Sequence, residues 1–261
     1  MGNSPQCYRN DLQKLYQGAV TMNVYKIDSL KDILSANTYP GRGIVIGTTP
    51  DNKKAAIAYF IMGRSENSRN RIFKEEGTDV TIYPYDESKV EDPSLIIYSP
   101  IKVWENKTIV TNGDQTDTVC DYLKMGKTFE EALATREFEP DHPNLTPRIS
   151  GELTFKDTYT YKMSILKSAD ADGSACNRYT YCYNSIAGLG HFIHTYNCDG
   201  NPIPTFCGEP ERVEILDDID EFTNMIWENL NCDNKISLYV RYIDLKTGAT
   251  ENRMINGKEI G

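Results

Sequence analysis

A basic run occupies residues 63–71 of a chain whose formal net charge is −10. Its polar side chains with hydrogen-bonding or charged groups include Arg64, Ser65, Arg69, Asn70 and Arg71. The run follows an apolar stretch over residues 55–62 that reads as a buried strand, so guanidinium donors emerge where a strand ends. Planar guanidinium groups suit the recognition of phosphate or carboxylate. The sequence therefore predicts an anion site here, with an exposed loop of solvated charges as the alternative.

Three further segments place polar donors beside glycine or proline, over residues 39–43, 111–117 and 144–151. Their candidate ligand-binding residues are Arg42, Asn112, Gly113, Asp114, Thr116, Asp117, Thr146 and Arg148. Taken singly, each segment has a structural explanation as a turn, a helix cap or a surface charge. Together they indicate loops that converge on a polar anionic ligand, because the backbone N–H groups at Gly113 and at a helix N-terminus favour phosphate.

The histidines and cysteines do not predict a metal site. His191 and His194 stand three residues apart, an offset that sends the two imidazoles to opposite faces of a strand, whereas a metal needs convergent ligands. The seven cysteines are scattered, and without an export signal free thiols are expected. We therefore expect no metal ion.

Composition excludes several classes of protein. The chain has 261 residues, of which 39% are hydrophobic and 25% charged, as in ordinary globular proteins. No stretch approaches the roughly 20 apolar residues of a membrane span, and the first residues lack the features of a secretory signal. The acidic balance disfavours nucleic acid. We expect a cytoplasmic protein that binds neither membrane nor nucleic acid, and homo-oligomer formation stays open.

The elements that must position these residues follow from hydrophobic periodicity. Helices are predicted over residues 8–19 and 117–124. Two more are predicted from their caps, one after Asp28 and one after the capping box that begins at Thr128. A fifth is predicted from the apolar face formed by Ile219, Phe222, Ile226 and Leu230. Strands are predicted over residues 43–48, 54–62, 79–85, 95–104, 108–111, 149–155, 158–166, 178–183, 191–196, 236–244 and 250–255. Hairpins outnumber βαβ units, so the fold class is α+β with antiparallel sheets covered by helices. We expect one domain over residues 1–261, with residues 1–22 as a peripheral extension.

In combination, four motifs resemble the archaeal-type inosine monophosphate (IMP) cyclohydrolase family and its bacterial cyclohydrolase-like relatives. They are Tyr39-Pro40-Gly41-Arg42, Arg64-Ser65 with Arg69-Asn70-Arg71, Asn112-Gly113 with Thr116-Asp117, and Thr146-Pro147-Arg148-Ile149. The resemblance covers residues 39 to about 215, and Gly188-Leu189-Gly190-His191 favours the bacterial branch. It implies a four-layer αββα sandwich of the N-terminal-nucleophile (Ntn) hydrolase type. The nucleophile of that type is not found, since no Ser, Thr or Cys begins the first predicted strand.

The resemblance implies an enzyme of purine biosynthesis that closes the ring of 5-formamidoimidazole-4-carboxamide ribonucleotide to IMP with loss of water. Because this reaction is neither an oxidation nor a reduction, the resemblance implies no cofactor. Such a site must orient the carboxamide nitrogen and the formyl carbon, stabilise an oxyanion and move protons. The resemblance implies phosphate and oxyanion binding by Arg42, Arg64, Arg69 and Arg148, with Asn112, Gly113, Thr116 and Asp117 on the ribose or base.

For proton transfer the resemblance implies Tyr98 and Glu139, with Arg64 as a third catalytic residue. A tyrosine packed in the core and a solvated loop acid are the structural alternatives for the first two. His191, Asp117 and Asp114 are the next candidates for proton transfer. Two other functions stay open: a non-catalytic purine-nucleotide-binding protein, and another Ntn-fold hydrolase of amides or nucleotides.

Overall fold

A computed structural model describes residue 23, residues 25–89 and residues 97–258. The helix predicted over residues 8–19 and the start of the strand predicted from residue 95 lie outside these ranges. Within them, no helix has both the length and the apolar character that crossing a membrane requires.

The described residues form antiparallel strands and a few short helices. The strands are β1 (Arg42–Thr48), β2 (Lys54–Met62), β3 (Ile72–Glu76), β4 (Asp79–Tyr83), β5 (Ile101–Trp104), β6 (Lys107–Thr111), β7 (Arg148–Phe155), β8 (Tyr159–Ser168), β9 (Cys176–Asn184), β10 (Leu189–His194), β11 (Glu211–Glu214), β12 (Lys235–Asp244) and β13 (Thr250–Asn256). The α-helices are α1 (Leu30–Ala36), α2 (Glu66–Arg69), α3 (Gln115–Lys124), α4 (Phe129–Leu133) and α5 (Ile219–Asn229).

The strands make two sheets, which confirms the α+β class with antiparallel sheets. One sheet has six strands in the order β11-β10-β1-β2-β12-β13, and the other has seven in the order β3-β4-β5-β6-β7-β8-β9. Strands β1 and β2 are apolar along nearly their whole length because both of their faces are covered.

The core has three parts. Between the sheets, side chains such as Ile44 and Ile57 of the six-stranded sheet meet Ile149 and Leu153 of the seven-stranded one. A second cluster packs α1 and α5 on the other face of the six-stranded sheet, through residues that include Leu34, Phe60, Val45, Phe222 and Ile226. A third packs α3 and α4 against β6 and β8, through residues that include Ile109, Val119, Phe129 and Leu166. Each sheet is therefore covered by helices on the face that points away from the other sheet.

A buried arginine ties the two sheets together. Arg241 of β12 is only 2% exposed. Its guanidinium donates to the carbonyl of Thr78 at 2.8 Å, to Asn252 Oδ1 at 3.0 Å and to the hydroxyl of Tyr239 at 2.7 Å. Since Thr78 lies in the turn between β3 and β4, Arg241 fastens one sheet to a hairpin of the other.

Several element boundaries differ from the sequence prediction. Tyr98 lies before β5 rather than inside a strand, although its carbonyl accepts a hydrogen bond of 2.9 Å from the backbone N–H of Ile82. Helix α1 is capped by Ser29 rather than Asp28, since the Ser29 hydroxyl accepts from Asp32 N at 3.3 Å. Helix α3 begins at Gln115, two residues earlier than predicted. Elements β3, β11 and α2 were not predicted.

Candidate active site

A polar cleft opens where strands of both sheets end. Its first part is a cavity of about 350 Å³ lined by Tyr39, Arg42, Arg64, Ser65, Ser68, Arg71, Tyr98, Asn112, Glu139, Asp141, Asn144, Thr146, Tyr196 and Ile203. An adjoining cavity of about 660 Å³ shares Arg71, Tyr98, Glu139 and Asp141 with the first. It adds Gly113, Asp114, Pro140 and Arg148. The two cavities together are the cleft, and most of the residues predicted for an anion site line it.

Two arginines lie in the wall of the cleft with few protein acceptors. Arg42, at the start of β1, donates through Nη1 to the carbonyl of Met62 at 2.5 Å. The Nε of Arg71 is buried without a partner, and the Arg71 side chain makes no hydrogen bond or ion pair with any described residue. Burial and then the like charge of Arg42 lower the pKa of Arg71. An anion in the cleft would satisfy both guanidinium groups, because a buried cation without a partner is costly.

Glu139 faces these arginines. Its backbone N–H is fixed by a 2.9 Å hydrogen bond to the carbonyl of Thr146, while its carboxyl group makes no hydrogen bond within the described ranges. Burial raises the pKa of Glu139, although the positive charges of Arg148, Arg42 and Arg71 act in the opposite direction. The carboxyl group therefore holds its proton to a higher pH than a solvated glutamate, which suits a general acid or base.

Tyr98 stands beside them with its hydroxyl 3.3 Å from the hydroxyl of Tyr59. Tyr59 is fully buried on β2, and burial raises its pKa well above the ordinary value. Tyr59 therefore stays neutral and can hydrogen-bond to Tyr98 from behind. Tyr98 thus packs against the edge of the core and also lines the cleft, so its position is compatible with both a structural and a functional role.

A folded-back loop between Glu139 and Arg148 fixes the position of Glu139. Asp141 accepts hydrogen bonds from the backbone N–H of Thr146 at 2.6 Å and from its hydroxyl at 2.5 Å. The Thr146 hydroxyl also lies 2.6 Å from the hydroxyl of Tyr196, whose ring stacks on that of Tyr39 at 5.7 Å. Thr146, one of the predicted site residues, therefore connects this loop to Tyr196 on the opposite wall of the cleft.

Arg148 is held by the turn before α3. Its Nη1 donates to Gln115 Oε1 at 2.7 Å and lies 2.8 Å from Asp114 Oδ1, which also accepts from Arg136 at 2.5 Å. A Cβ on Gly113 would lie 2.4 Å from the same Nη1 atom. The absence of a side chain at Gly113 therefore lets the guanidinium cross the turn.

Arg64 lies at the mouth of the cleft. It pairs with Asp199 at 2.5 Å, donates to the carbonyl of Gly200 at 3.0 Å and stands 5.1 Å from the centre of the Tyr39 ring. Ser65, next to it, caps α2 by accepting from Ser68 N at 3.2 Å. Unlike Arg71, Arg64 already has an anionic partner.

Four predicted site residues lie outside the lining of the cleft. Asn70 bonds the backbone of Asp86 in both directions, at 2.8 and 2.7 Å. The remaining three contact protein partners: Arg69 reaches Asn234 at 3.5 Å, Thr116 lies 2.6 Å from Thr111, and Asp117 accepts from Lys102 at 2.5 Å. These side chains stabilise loops and helix ends rather than face the cavity.

Two residues of the turn line the cleft but have their polar groups committed. The Asn112 amide donates to the carbonyl of Pro147 at 2.9 Å and accepts from Ile149 N at 2.9 Å. The Gly113 N–H, expected to face phosphate, instead donates to the Thr111 hydroxyl at 3.2 Å. The expectation of phosphate on this N–H is therefore not supported by the geometry.

The structure also places the residues considered for metal binding. His191 pairs with Ile46 on β1 and is absent from the lining of the cleft. It shares the inter-sheet face with Ile193, whereas His194 points to the other face, as the offset of three predicted. In the part of the chain that the structure describes, no group of three or more His, Cys, Asp or Glu side chains could hold a metal ion.

Some cleft residues were missed by the sequence analysis. Tyr39 belongs to the first motif but was not assigned a role. Asp141 and Asn144 lie in the Pro-Asp-His-Pro-Asn segment between Glu139 and Thr146, a dense group of turn residues that could have marked a functional loop. Tyr196 reaches the cleft by crossing from the end of β10, which no local pattern indicates.

The burial of Glu139 should make the stability of the fold depend on pH. The Glu139 carboxyl group binds its proton more tightly in the folded chain than in the unfolded chain. The protonated carboxyl group therefore adds to the free energy of unfolding below its unfolded pKa, and this stabilisation is lost as the pH rises through the raised folded pKa. We expect Glu139→Gln to remove that loss and to raise Tm at neutral pH. Thermal unfolding from acid to neutral pH would check this, with the exposed neighbour Glu137→Gln as control. Parallel Tm profiles for Glu139→Gln and wild type would contradict it.

Comparison with known proteins adds a further observation. A family described as IMP cyclohydrolase-like protein matches residues 39–248. A curated IMP cyclohydrolase of Methanococcus aeolicus is 32% identical over 125 residues, which cover 46% of this chain and 61% of the relative. The IMP cyclohydrolase of Methanocaldococcus jannaschii is 33% identical over 123 residues, 46% of this chain and 59% of the relative. The matches span about three fifths of the length of these curated relatives.

Proposed function

The chain belongs to the IMP cyclohydrolase-like family, and on that premise we propose that it closes 5-formamidoimidazole-4-carboxamide ribonucleotide to IMP. One observation carries the proposal. Arg42 and Arg71, two guanidinium groups with unused donors, share a cavity with Glu139 and Tyr98, two groups that can move protons. The relatives named above carry the name IMP cyclohydrolase. Two sheets with helices on their outer faces support the proposal of a four-layer αββα sandwich of the Ntn-hydrolase type.

In the proposed reaction, the carboxamide nitrogen attacks the formyl carbon, a C–N bond forms, and the formyl oxygen becomes an oxyanion. That oxygen takes up two protons in all and leaves as water; one proton comes from the attacking nitrogen and the other from the formamide nitrogen, which forms a double bond to the former formyl carbon. Arg42, Arg71 and Arg148 face the region where the oxyanion would develop, and preorganised charge of this kind stabilises a transition state. Tyr98 and Glu139 transfer the protons. Arg64 and Ser65, at the mouth, bind the phosphate group.

A turnover assay tests the proposal. Purified protein would be mixed with the formylated ribonucleotide, and IMP formation would be compared with the spontaneous rate in buffer. IMP titration by calorimetry measures binding separately. Rate acceleration supports the enzyme; IMP binding without acceleration would favour the non-catalytic nucleotide-binding protein. Failure of both measurements would favour another hydrolase on the same fold.

The arginine at the mouth provides a second prediction. Loss of a charge-assisted hydrogen bond costs about 1.5 to 3 kcal/mol, so Arg64→Ala should weaken IMP binding about ten- to a hundred-fold. Arg64→Lys should restore it only in part, because an ammonium cannot reproduce a bidentate guanidinium. Calorimetric titration of both variants measures the effect. The partly exposed Arg253, paired with Asp220 outside the cleft, provides the control Arg253→Ala, and equal affinities in all variants would remove Arg64 from the phosphate site.

A third prediction concerns Gly113. An alanine Cβ would crowd Arg148 Nη1 and Gln115 Oε1, both at the ends of flexible side chains, so the fold should adjust while the guanidinium moves away. We expect Gly113→Ala to lower turnover with little change in Tm, since small displacements of positioning groups cost rate. Gly126→Ala is the control for the substitution alone, because open space surrounds that glycine, although its positive φ of 74° adds strain. Full turnover in Gly113→Ala would show that the position of Arg148 is not critical.

A further inference from the structure

A third cavity, apart from the two that form the cleft, lies at the open edge between the sheets. It has a volume of about 260 Å³ and is lined by residues at the ends of β9, β10 and β11, among them Tyr183, His191, Glu209 and Arg212. His191 pairs with Ile46, four residues along β1 from Arg42, a separation of about 13 Å at the rise of an extended strand. This third cavity shares no lining residue with either cavity of the cleft. This edge cavity is therefore a separate site from the cleft.

Arg212 brings a cation with free donors to the edge cavity. It stands directly opposite His191 in the pairing of β10 with β11, so the two side chains lie next to each other on one face. The Nε of Arg212 is buried without a partner, and its guanidinium makes no hydrogen bond or ion pair with any residue that the structure describes. A guanidinium in that position gains by acquiring an oxygen acceptor.

His191 adds a second donor. Its Nδ1 lies 2.6 Å from the hydroxyl of Tyr161. Burial raises the pKa of Tyr161, so this hydroxyl keeps its proton and donates it to Nδ1. Burial and then the charge of Arg212 lower the pKa of His191 to about 4, so the imidazole is neutral at pH 7 and carries its proton on Nε2. Nε2 has no hydrogen-bond partner within the described part of the chain.

The geometry of the ring fixes the direction of that donor. The Tyr183 ring stacks on His191 with centroids 3.6 Å apart and an angle of 14° between the planes. Stacking on one face and the Tyr161 hydroxyl at Nδ1 together hold the imidazole in a single orientation. Glu209, on the rim, is exposed and forms no ion pair with Arg212.

We propose that the edge cavity binds a small oxyanion between the Arg212 guanidinium and the Nε2–H group of His191. Both donors meet the requirements of a phosphate or a carboxylate group, and a cavity of about 260 Å³ has room for such a group. Glu209 opposes the ligand by its negative charge at the rim. This site does not depend on the reaction proposed for the cleft.

The test follows the ring signals of the histidines in the intact chain by NMR. His191 is assigned by comparison with His191→Gln, and the protein is titrated with sodium phosphate and, separately, with sodium acetate, against sodium chloride at the same ionic strength. We expect a saturable shift of the His191 signal with at least one of the two anions and an increase in its pKa. Saturation with phosphate alone identifies a phosphate site, and saturation with acetate alone identifies a carboxylate site.

Variants make the test specific. Arg212→Gln should weaken the binding roughly ten-fold or more, as expected for a lost hydrogen bond to a charged group, whereas Glu209→Gln should strengthen it. Arg253→Gln, on the far edge of the six-stranded sheet, should have no effect. The signals of His142 and His194 report whether each variant is folded, and Arg212→Lys replaces Arg212→Gln if the latter is not. A linear shift equal to that with chloride, or unchanged affinity in a folded Arg212 variant, would overturn the proposal.

Discussion

Tyr98→Phe and Glu139→Gln are each expected to lower kcat for IMP formation by about a hundred- to ten-thousand-fold, the usual effect of removing a positioned acid or base. Affinity for IMP should change much less, because these groups act mainly in the transition state. Tyr98 lies against the neutral Tyr59, and burial raises the pKa of Glu139, so that its carboxyl group holds a proton to a higher pH than a solvated glutamate does. The split between kcat and affinity is the quantity to measure, by initial rates and by IMP titration on the same preparations.

Matched controls come from residues of the same type outside the cleft. Tyr179→Phe removes a hydroxyl from an exposed tyrosine on β9, and Glu137→Gln removes a charge two residues from Glu139. Both controls should keep the wild-type kcat. If the wild type is active and Tyr98→Phe or Glu139→Gln also keeps its kcat, the residue concerned has a structural role and proton transfer belongs to another group of the cleft.

Arg241→Ala is expected to destabilise the fold by about 3 to 5 kcal/mol, by analogy with the removal of other large buried side chains. The variant leaves a cavity and deprives the Thr78 carbonyl and the Asn252 side chain of their donor. Urea unfolding would measure the change in free energy. Arg253, a partly exposed residue on the neighbouring strand β13, provides the control Arg253→Ala, with an expected change within about 0.5 kcal/mol.

Arg241→Met separates the two contributions to this loss. Methionine keeps most of the volume of arginine but does not replace its hydrogen bonds. Arg241→Met should therefore lower the free energy of unfolding by less than Arg241→Ala does. A change of less than about 1 kcal/mol in Arg241→Ala would contradict the view that this side chain fastens the sheets, because buried side chains of that size cost more when removed.

The sequence allowed much of the fold to be predicted where burial is strong and local. The apolar runs of β1 and β2, joined by a turn, were assigned almost to the residue. Strand β3 was not predicted, because only Ile72 and Phe73 of its five residues are buried and the segment shows neither a long apolar run nor sustained alternation. Strand β11 has four residues at a sheet edge, too short for a periodic signal.

The sequence indicated the residue types that line the cleft better than it indicated the directions of their side chains. The basic run looked like one cluster, but its single turn of helix sends successive side chains to different sides. Arg64 and Arg71 therefore reach the cleft, while Arg69 and Asn70 contact Asn234 and Asp86. Tyr98 and Glu139 were indicated by family resemblance alone. Their closeness depends on the strand order of the seven-stranded sheet, in which Tyr98 precedes β5 and Glu139 lies in the loop before β7, and no local pattern contains that order.

The cleft draws its walls from both sheets and from residues as distant in the sequence as Tyr39 and Tyr196. Contacts between segments so far apart form late in folding, because the chain entropy of closing long loops must be overcome first. Individual hairpins can form before the sheets meet, but Arg42 cannot face Glu139 until they do. On refolding from denaturant, nucleotide binding should therefore return more slowly than the circular dichroism signal of the strands.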